Sequence, residues 1–186
     1  MSAVPMAVRW ESGQLILLDQ TQLPHAEVLF VCETIESVFT AITSLKVRGA
    51  PAIGIAAAYG LLVGLDVTDD LMARLKSRVD YLASARPTAV NLAWALSRML
   101  NCALTSTGLS GSQLVQRLER EAIAIHAEDR LACQAIGAAG APDRYSVSQR
   151  SDPLQCRCPG SISARYRVGT DLCSGGTRGC GARLRG

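Results

Sequence analysis

Hydrophobic positions recur along the chain with two different periods. Between residues 7 and 33 they come in short runs, Val8-Arg9-Trp10, Gln14 to Asp19 and Glu27 to Cys32, separated by Glu11-Ser12-Gly13 and by Leu23-Pro24. Short apolar runs bounded by Gly, Ser and Pro are strand signals, so a small antiparallel sheet is predicted here. His25, directly after Pro24, reads as a turn residue. From Thr34 the spacing lengthens to a helical repeat. Ile35, Val38, Ile42 and Leu45 share one face, and the Thr34 hydroxyl can cap the first turn. Ala50 to Leu65 is apolar on every side, which predicts a buried helix; it contains three glycines and falls short of the roughly 18 to 20 residues a membrane crossing requires. Asp69 to Leu82 is amphipathic again, with Leu71, Leu75, Val79 and Leu82 inward and Lys76 and Arg78 on a solvated face. Leu114 to Ala132 is predicted as the last long helix, seated on Leu114, Leu118, Ile123 and Ile125 and ending near Gly137. The predicted class is α+β: a small N-terminal antiparallel sheet followed by a helical bundle.

Beyond about Gly140 the periodicity stops. Residues 141–186 contain no Lys or Glu and fill with Arg, Ser, Gly and Cys, a composition that cannot assemble a core. The expected division is therefore 1–140 as a folded domain and 141–186 as a disordered tail. Charge follows the same boundary. The net charge of +3 resolves into eleven Lys or Arg against thirteen Asp or Glu over 1–140, net −2, and eight Arg against three Asp over 141–186, net +5. The basic balance thus belongs to the tail, and with only two Trp and two Phe there is little surface for stacking bases; no nucleic-acid partner is expected. Four of seven cysteines (Cys156, Cys158, Cys173, Cys180) lie in the tail, while Cys32, Cys102 and Cys133 sit among apolar neighbours and read as reduced core thiols. Met1 to Trp10 lacks the ordered regions of a secretory signal, so a cytoplasmic protein without a membrane partner is expected.

The chemistry concentrates in two short stretches. In Val47-Arg48-Gly49-Ala50-Pro51-Ala52-Ile53-Gly54, Gly49 allows a tight turn and Pro51 is tolerated in the first turn of the buried helix. The N–H groups near Gly49 and Ala50 then face outward at the positive end of the helix dipole, and Arg48 can add a charge-assisted contact, an arrangement that suits a phosphate. A helix-capping turn with a solvated arginine is the alternative. Arg86-Pro87-Thr88-Ala89-Val90-Asn91 repeats the pattern, with Pro87 expected to begin a helix and Asn91 one turn into it. Two such arginines could clamp one phosphorylated ligand from both sides. His126-x-Glu128 resembles half of a metal signature, but no partner at a suitable spacing follows, so a surface or helix-end role is favoured.

These blocks, with Trp10, Leu17-Leu18-Asp19-Gln20, Leu23-Pro24, Ala41-Ile42, Trp94, Glu128-Asp129, Cys133 and Ile136-Gly137, occur in the order found in a known family. Over residues 8 to 140 the chain resembles the N-terminal half of methylthioribose-1-phosphate isomerase. That family converts 5-methylthioribose 1-phosphate to 5-methylthioribulose 1-phosphate in methionine salvage. It shares its fold with ribose-1,5-bisphosphate isomerases and with regulatory subunits of a translation initiation factor. The resemblance implies a small phosphosugar substrate bound by Arg48, Gly49, Ala50 and Arg86, no cofactor, no metal, and a homodimer for the intact protein. It also implies a C-terminal Rossmann-like domain carrying a catalytic cysteine in a Thr-His-Cys-Asn-Ala-Gly-Ala-Leu segment and a catalytic aspartate. Neither motif is present in the 186 residues.

A shift of reading frame across Asp152 to Gly160 is the expected cause of the discrepancy. The allowed codons GAC CCA CTG CAA TGC AGG TGC CCT GGC, read one base later, encode Thr-His-Cys-Asn-Ala-Gly-Ala-Leu. On this reading the tail is a frameshift product, and Cys156 and Cys158 are not the catalytic cysteine; a zinc site built from the tail cysteines is the rival reading. The chain is expected to hold a phosphosugar but to be catalytically incomplete. Two alternatives stand beside it: a ribose-1,5-bisphosphate isomerase, which needs a second phosphate site, and a non-catalytic regulatory module.

Overall fold

The computed structural model describes residues 6–67 and 70–140. The expectations about 141–186, namely the tail's disorder, its frame and its cysteines, lie outside the described residues. Strands β1 (Val8–Glu11), β2 (Gln14–Leu18) and β3 (Leu29–Cys32) form an antiparallel sheet in sequential order. Ser12 and Gly13 both take positive φ, 51° and 79°, as a two-residue hairpin requires, and this sets the register Glu11 to Gln14 and Val8 to Leu17. Alternation puts Leu15, Leu17 and Cys32 inward while Leu29 and Val31 face solvent.

Helix α1 (Ile35–Thr43) starts in a capping box between Thr34 and Ser37 and buries Val38, Ala41 and Ile42. Leu45 does not extend this face, contrary to its spacing. The chain reverses after Thr43, with the amides of Lys46 and Val47 both donating to the Ala41 carbonyl, and Leu45 is left at φ 61° and exposed. The turn leads into α2 (Ala50–Gly60), where nine of eleven residues are buried, so that α2 is the axle of the domain. It packs against β1, β2, α1, α4 and α5.

Helix α3 (Leu71–Ser84) buries Leu71, Leu75 and Leu82. Arg78 is not on a solvated face. It is half-buried and donates to the carbonyls of Val63 and Gly64 just beyond the C-terminal end of α2, where a cation is favoured by the helix dipole. Helix α4 runs from Val90 to Thr105. Pro87 does not open it: the Ala89 amide donates to the Arg86 carbonyl at 3.0 Å, so Pro87 occupies the second position of a β-turn, which its fixed φ suits, and Asn91 is the second residue of the helix. Helix α5 (Gly111–Gly140) is longer than predicted at both ends and passes through Gly137. It buries Leu114, Leu118, Ala122, Ile125 and Cys133, whereas Ile123, five residues and about 140° around from Leu118, is exposed. Cys32, Cys102 and Cys133 are buried, and burial pushes the Cys32 thiol up to about 11, far from the reactive thiolate. Among the described residues no helix is long and apolar enough to cross a membrane.

Candidate functional site

The first arginine block is the turn between α1 and α2. Gly49 takes φ 98°, a conformation open to glycine and strained for other residues, and its carbonyl accepts the Ile53 amide to start α2. Pro51 has no N–H, and the first-turn amides of Ala50 and Ala52 have no acceptor within the helix. No side chain caps this end and no acidic residue sits in the first turn, so the positive end of the dipole is not neutralised locally. Arg48 is exposed, and its Nε donates to the Leu45 carbonyl at 3.1 Å, which fixes where the guanidinium leaves the turn.

The turn rests on the end of β2. The Gln20 amide donates to the Lys46 carbonyl at 2.8 Å, and Lys46 Nζ lies 3.3 Å from Asp19 Oδ2 and 4.1 Å from the centre of the Phe30 ring. Asp19 Oδ1 accepts from the Thr21 amide at 3.0 Å and the Thr21 hydroxyl at 2.5 Å. Burial pushes the Asp19 carboxyl up, but the Thr21 hydrogen bonds and Lys46 outweigh it and hold the group below the ordinary carboxylate value.

Arg86 stands, half-buried, in the turn before α4, whose first turn likewise carries no side-chain cap and no acidic residue. Tertiary packing makes these two helix starts neighbours. A Cβ on Gly54 would lie 2.8 Å from the Asn91 carbonyl oxygen and 3.5 Å from the Ala95 Cβ, so glycine permits the first turn of α4 to press on the second turn of α2. Beside this contact an open cavity of about 240 Å³ is lined by Pro51 and Gly54 from α2, Asn91 and Trp94 from α4, and Glu128 and Asp129 from α5. The arginines themselves do not line it: Arg48 and Arg86 each stand a few residues upstream of a lining residue. What the fold brings together is the pair of helix starts.

The acidic side of the cavity is largely spoken for. Arg98 on α4 makes a bidentate contact with Glu128 at 2.6 and 2.7 Å, reaches Glu121 through Nε at 2.7 Å and lies 5.4 Å from the Trp94 ring. The bonds to Arg98 hold the Glu128 carboxyl below its usual value. His126, in contrast to the surface role its motif suggested, is buried within α5. Its Nδ1 is 3.2 Å from the Tyr59 hydroxyl, and its Nε2 is buried without a hydrogen-bond partner. Tyr59 stacks on Trp10 at 5.0 Å, and Trp10 Nε1 donates to Glu119 at 2.7 Å, so this cluster ties the sheet to α2 and α5. Burial, followed by the Glu119 charge, pushes the Tyr59 hydroxyl up to about 12. Trp10 and Glu119 stand 109 residues apart, and no local pattern announces such a pair.

Relatives match on both sequence and fold. A family model described as "Initiation factor 2 subunit family" matches residues 46–143. A methylthioribose-1-phosphate isomerase of Geobacillus thermodenitrificans is 40% identical over 175 residues, covering 91% of this chain and 48% of the relative. A 5-deoxyribose 1-phosphate isomerase of Bacillus cereus is 46% identical over 135 residues, covering 70% of this chain and 39% of the relative. The crystal structure of 5-methylthioribose 1-phosphate isomerase from Pyrococcus horikoshii superposes with a TM-score of 0.67 at 28% identity, over 73% of this chain and 40% of that one. The chain therefore spans about half the length of the curated relatives it matches, or less.

Proposed function

The chain belongs to the initiation factor 2 subunit family, and on that premise we propose that residues 8–140 form the phosphosugar-holding part of an aldose–ketose isomerase acting on 5-methylthioribose 1-phosphate. One observation carries the reading. Two helices, each preceded by an arginine and each lacking a side-chain cap and a first-turn acid, pack together close to their starts, the first turn of α4 on the second turn of α2 at Asn91 and Gly54. First-turn N–H groups without an acceptor in the helix, at a positive dipole end beside an arginine, support the reading of an anion site.

In this reading Arg48, Gly49, Ala50 and Arg86 grip the 1-phosphate throughout the reaction. The reaction opens a C1-phosphorylated ring and moves a hydrogen from C2 to C1, leaving a ketone at C2. Holding the phosphate supplies orientation and remote binding energy. The proton movement needs an acid or base in a water-poor site. The resemblance assigns that task to the cysteine and aspartate motifs absent from these 186 residues, so the chain is expected to bind without turning over. A singly phosphorylated sugar fits better than a bisphosphate, because the cavity beside the helix starts presents Pro51, Trp94, Glu128 and Asp129 rather than further cations. A 5-deoxyribose 1-phosphate is the second reading, favoured by the name of the Bacillus cereus relative. The reading carries with it a cytoplasmic location and a homodimer for the intact protein.

Calorimetric titration tests it. The 186-residue chain should bind methylthioribose 1-phosphate, with Arg48→Ala and Arg86→Ala each weakening binding about tenfold or more, the scale of a charge-assisted hydrogen bond. Heat with 5-deoxyribose 1-phosphate but not with the methylthio sugar would favour the second reading. Silence with every sugar phosphate would instead favour a regulatory module. Turnover at an ordinary enzymatic rate would overturn the expected incompleteness.

A further inference from the structure

We propose that Asp19 and Lys46 are positioning residues that set the geometry of the phosphate-binding turn, an inference that rests on the reading of Arg48, Gly49 and Ala50 given above. The Asp19 side chain is only 7% exposed, and a carboxylate so placed is costly unless its oxygens are satisfied. Both are: Oδ1 by the Thr21 amide and hydroxyl, Oδ2 by Lys46 Nζ at 3.3 Å. The neighbouring Gln20 amide holds the Lys46 carbonyl at 2.8 Å, so the end of β2 grips Lys46 by both side chain and backbone.

Lys46 lies between the two residues that matter for the site. Before it, Leu45 takes φ 61°, a left-handed conformation uncommon for leucine that persists only where surroundings enforce it. After it, Arg48 Nε bonds back to the Leu45 carbonyl at 3.1 Å. The direction of the Arg48 guanidinium therefore follows from the position of Leu45, which follows from Lys46, which is anchored at Asp19. An apolar pair of similar volume would serve a core as well as a buried ion pair does, and often better. What the ion pair adds is direction: it admits one placement of the Lys46 ammonium over Phe30 and thus one path for the turn into α2.

The test uses the full chain with Asp19→Asn, Lys46→Met and Lys46→Arg, read by amide hydrogen exchange and by titration with methylthioribose 1-phosphate. In Asp19→Asn and Lys46→Met the hydrogen-bonded amides of the turn, Gln20, Lys46 and Val47, should exchange about tenfold faster while those of α4 and α5 keep their protection, and sugar-phosphate binding should weaken about tenfold. Lys46→Arg should restore both, since a guanidinium reaches the same carboxylate. Unchanged exchange at the turn overturns the proposal, as does faster exchange spread evenly over the domain, which is what a merely structural role would give. Variants that bind as tightly as a binding-competent wild type overturn this proposal alone. A wild-type chain that binds no sugar phosphate overturns the reading of the site, and this proposal with it. Asp19→Asn changes one atom and Lys46→Met keeps the stem, so the loss of either fold leaves the other variant to decide.

Discussion

His126 is the residue whose environment differs most from its sequence context. Burial pushes its pKa down, the Arg130 charge pushes the same way, and Asp129 opposes weakly. With Tyr59 on Nδ1 and nothing on Nε2, the imidazolium would carry a buried donor without an acceptor. The unfolded chain takes up a proton near the ordinary value of 6.5, while the folded chain resists. Stability is therefore full above that value and is lost as the pH falls from it toward the lower folded pKa. We expect the urea midpoint to drop as the pH falls below the ordinary histidine value of 6.5, and His126→Leu to flatten that drop. The lowered carboxyls of Asp19, Glu36 and Glu128 add their own loss only below their ordinary values of 3.8 to 4.5, outside the window. An unaltered pH slope in the variant would show that another group is responsible. The role of His126 was not legible in the chain because its partner, Tyr59, is 67 residues away. Arg48 and Gly49 stood out in the chain because the motif that marks them, Val47 to Gly54, is eight consecutive residues.

At the scale of elements the decisive contact is α2 on α4. Gly54 is the residue that permits it, since an added Cβ would sit 2.8 Å from a backbone oxygen that no rotamer change can move. Gly54→Ala should cost about 1–3 kcal/mol, the range of core overpacking, despite the better helix propensity of alanine. The urea midpoint should fall with an unchanged slope. Because α4 must shift, sugar-phosphate affinity should fall as well; a stability loss with full affinity would detach the site from this helix pair. Periodicity placed α1, α2, α3 and α5 correctly in kind, but it misjudged ends. Spacing assigns Leu45 to a helix and the first-turn preference of proline assigns Pro87 to one, and both belong to turns defined by backbone hydrogen bonds to Ala41 and Arg86.

For the whole molecule, several large apolar side chains are exposed: Val90 is 78% exposed, Leu131 65%, Ile136 58% and Trp94, which lines the cavity, 51%. Exposed apolar groups of this size favour association, so poor solubility of the isolated chain is expected. Nucleotide sequencing from the codon for Arg130 onward checks the origin of the tail. The neighbouring frame is expected to encode Thr-His-Cys-Asn-Ala-Gly-Ala-Leu and to continue; a gene open only as written would leave the tail genuine and the isomerase reading a matter of ancestry. A product restored in that frame should be more soluble and should gain turnover.

The sequence by itself determined the fold class, the order of elements and the two arginine blocks. All of these depend on residues within one or two turns of each other, where hydrophobic period, capping and glycine or proline geometry decide the outcome. Tertiary structure alone decided that the two blocks become neighbours, that Asp19 anchors the first of them, and that His126 is buried against Tyr59. Each of these is a contact between segments tens of residues apart. Such contacts are set by how side chains of particular volumes close-pack around α2, and no local pattern encodes that.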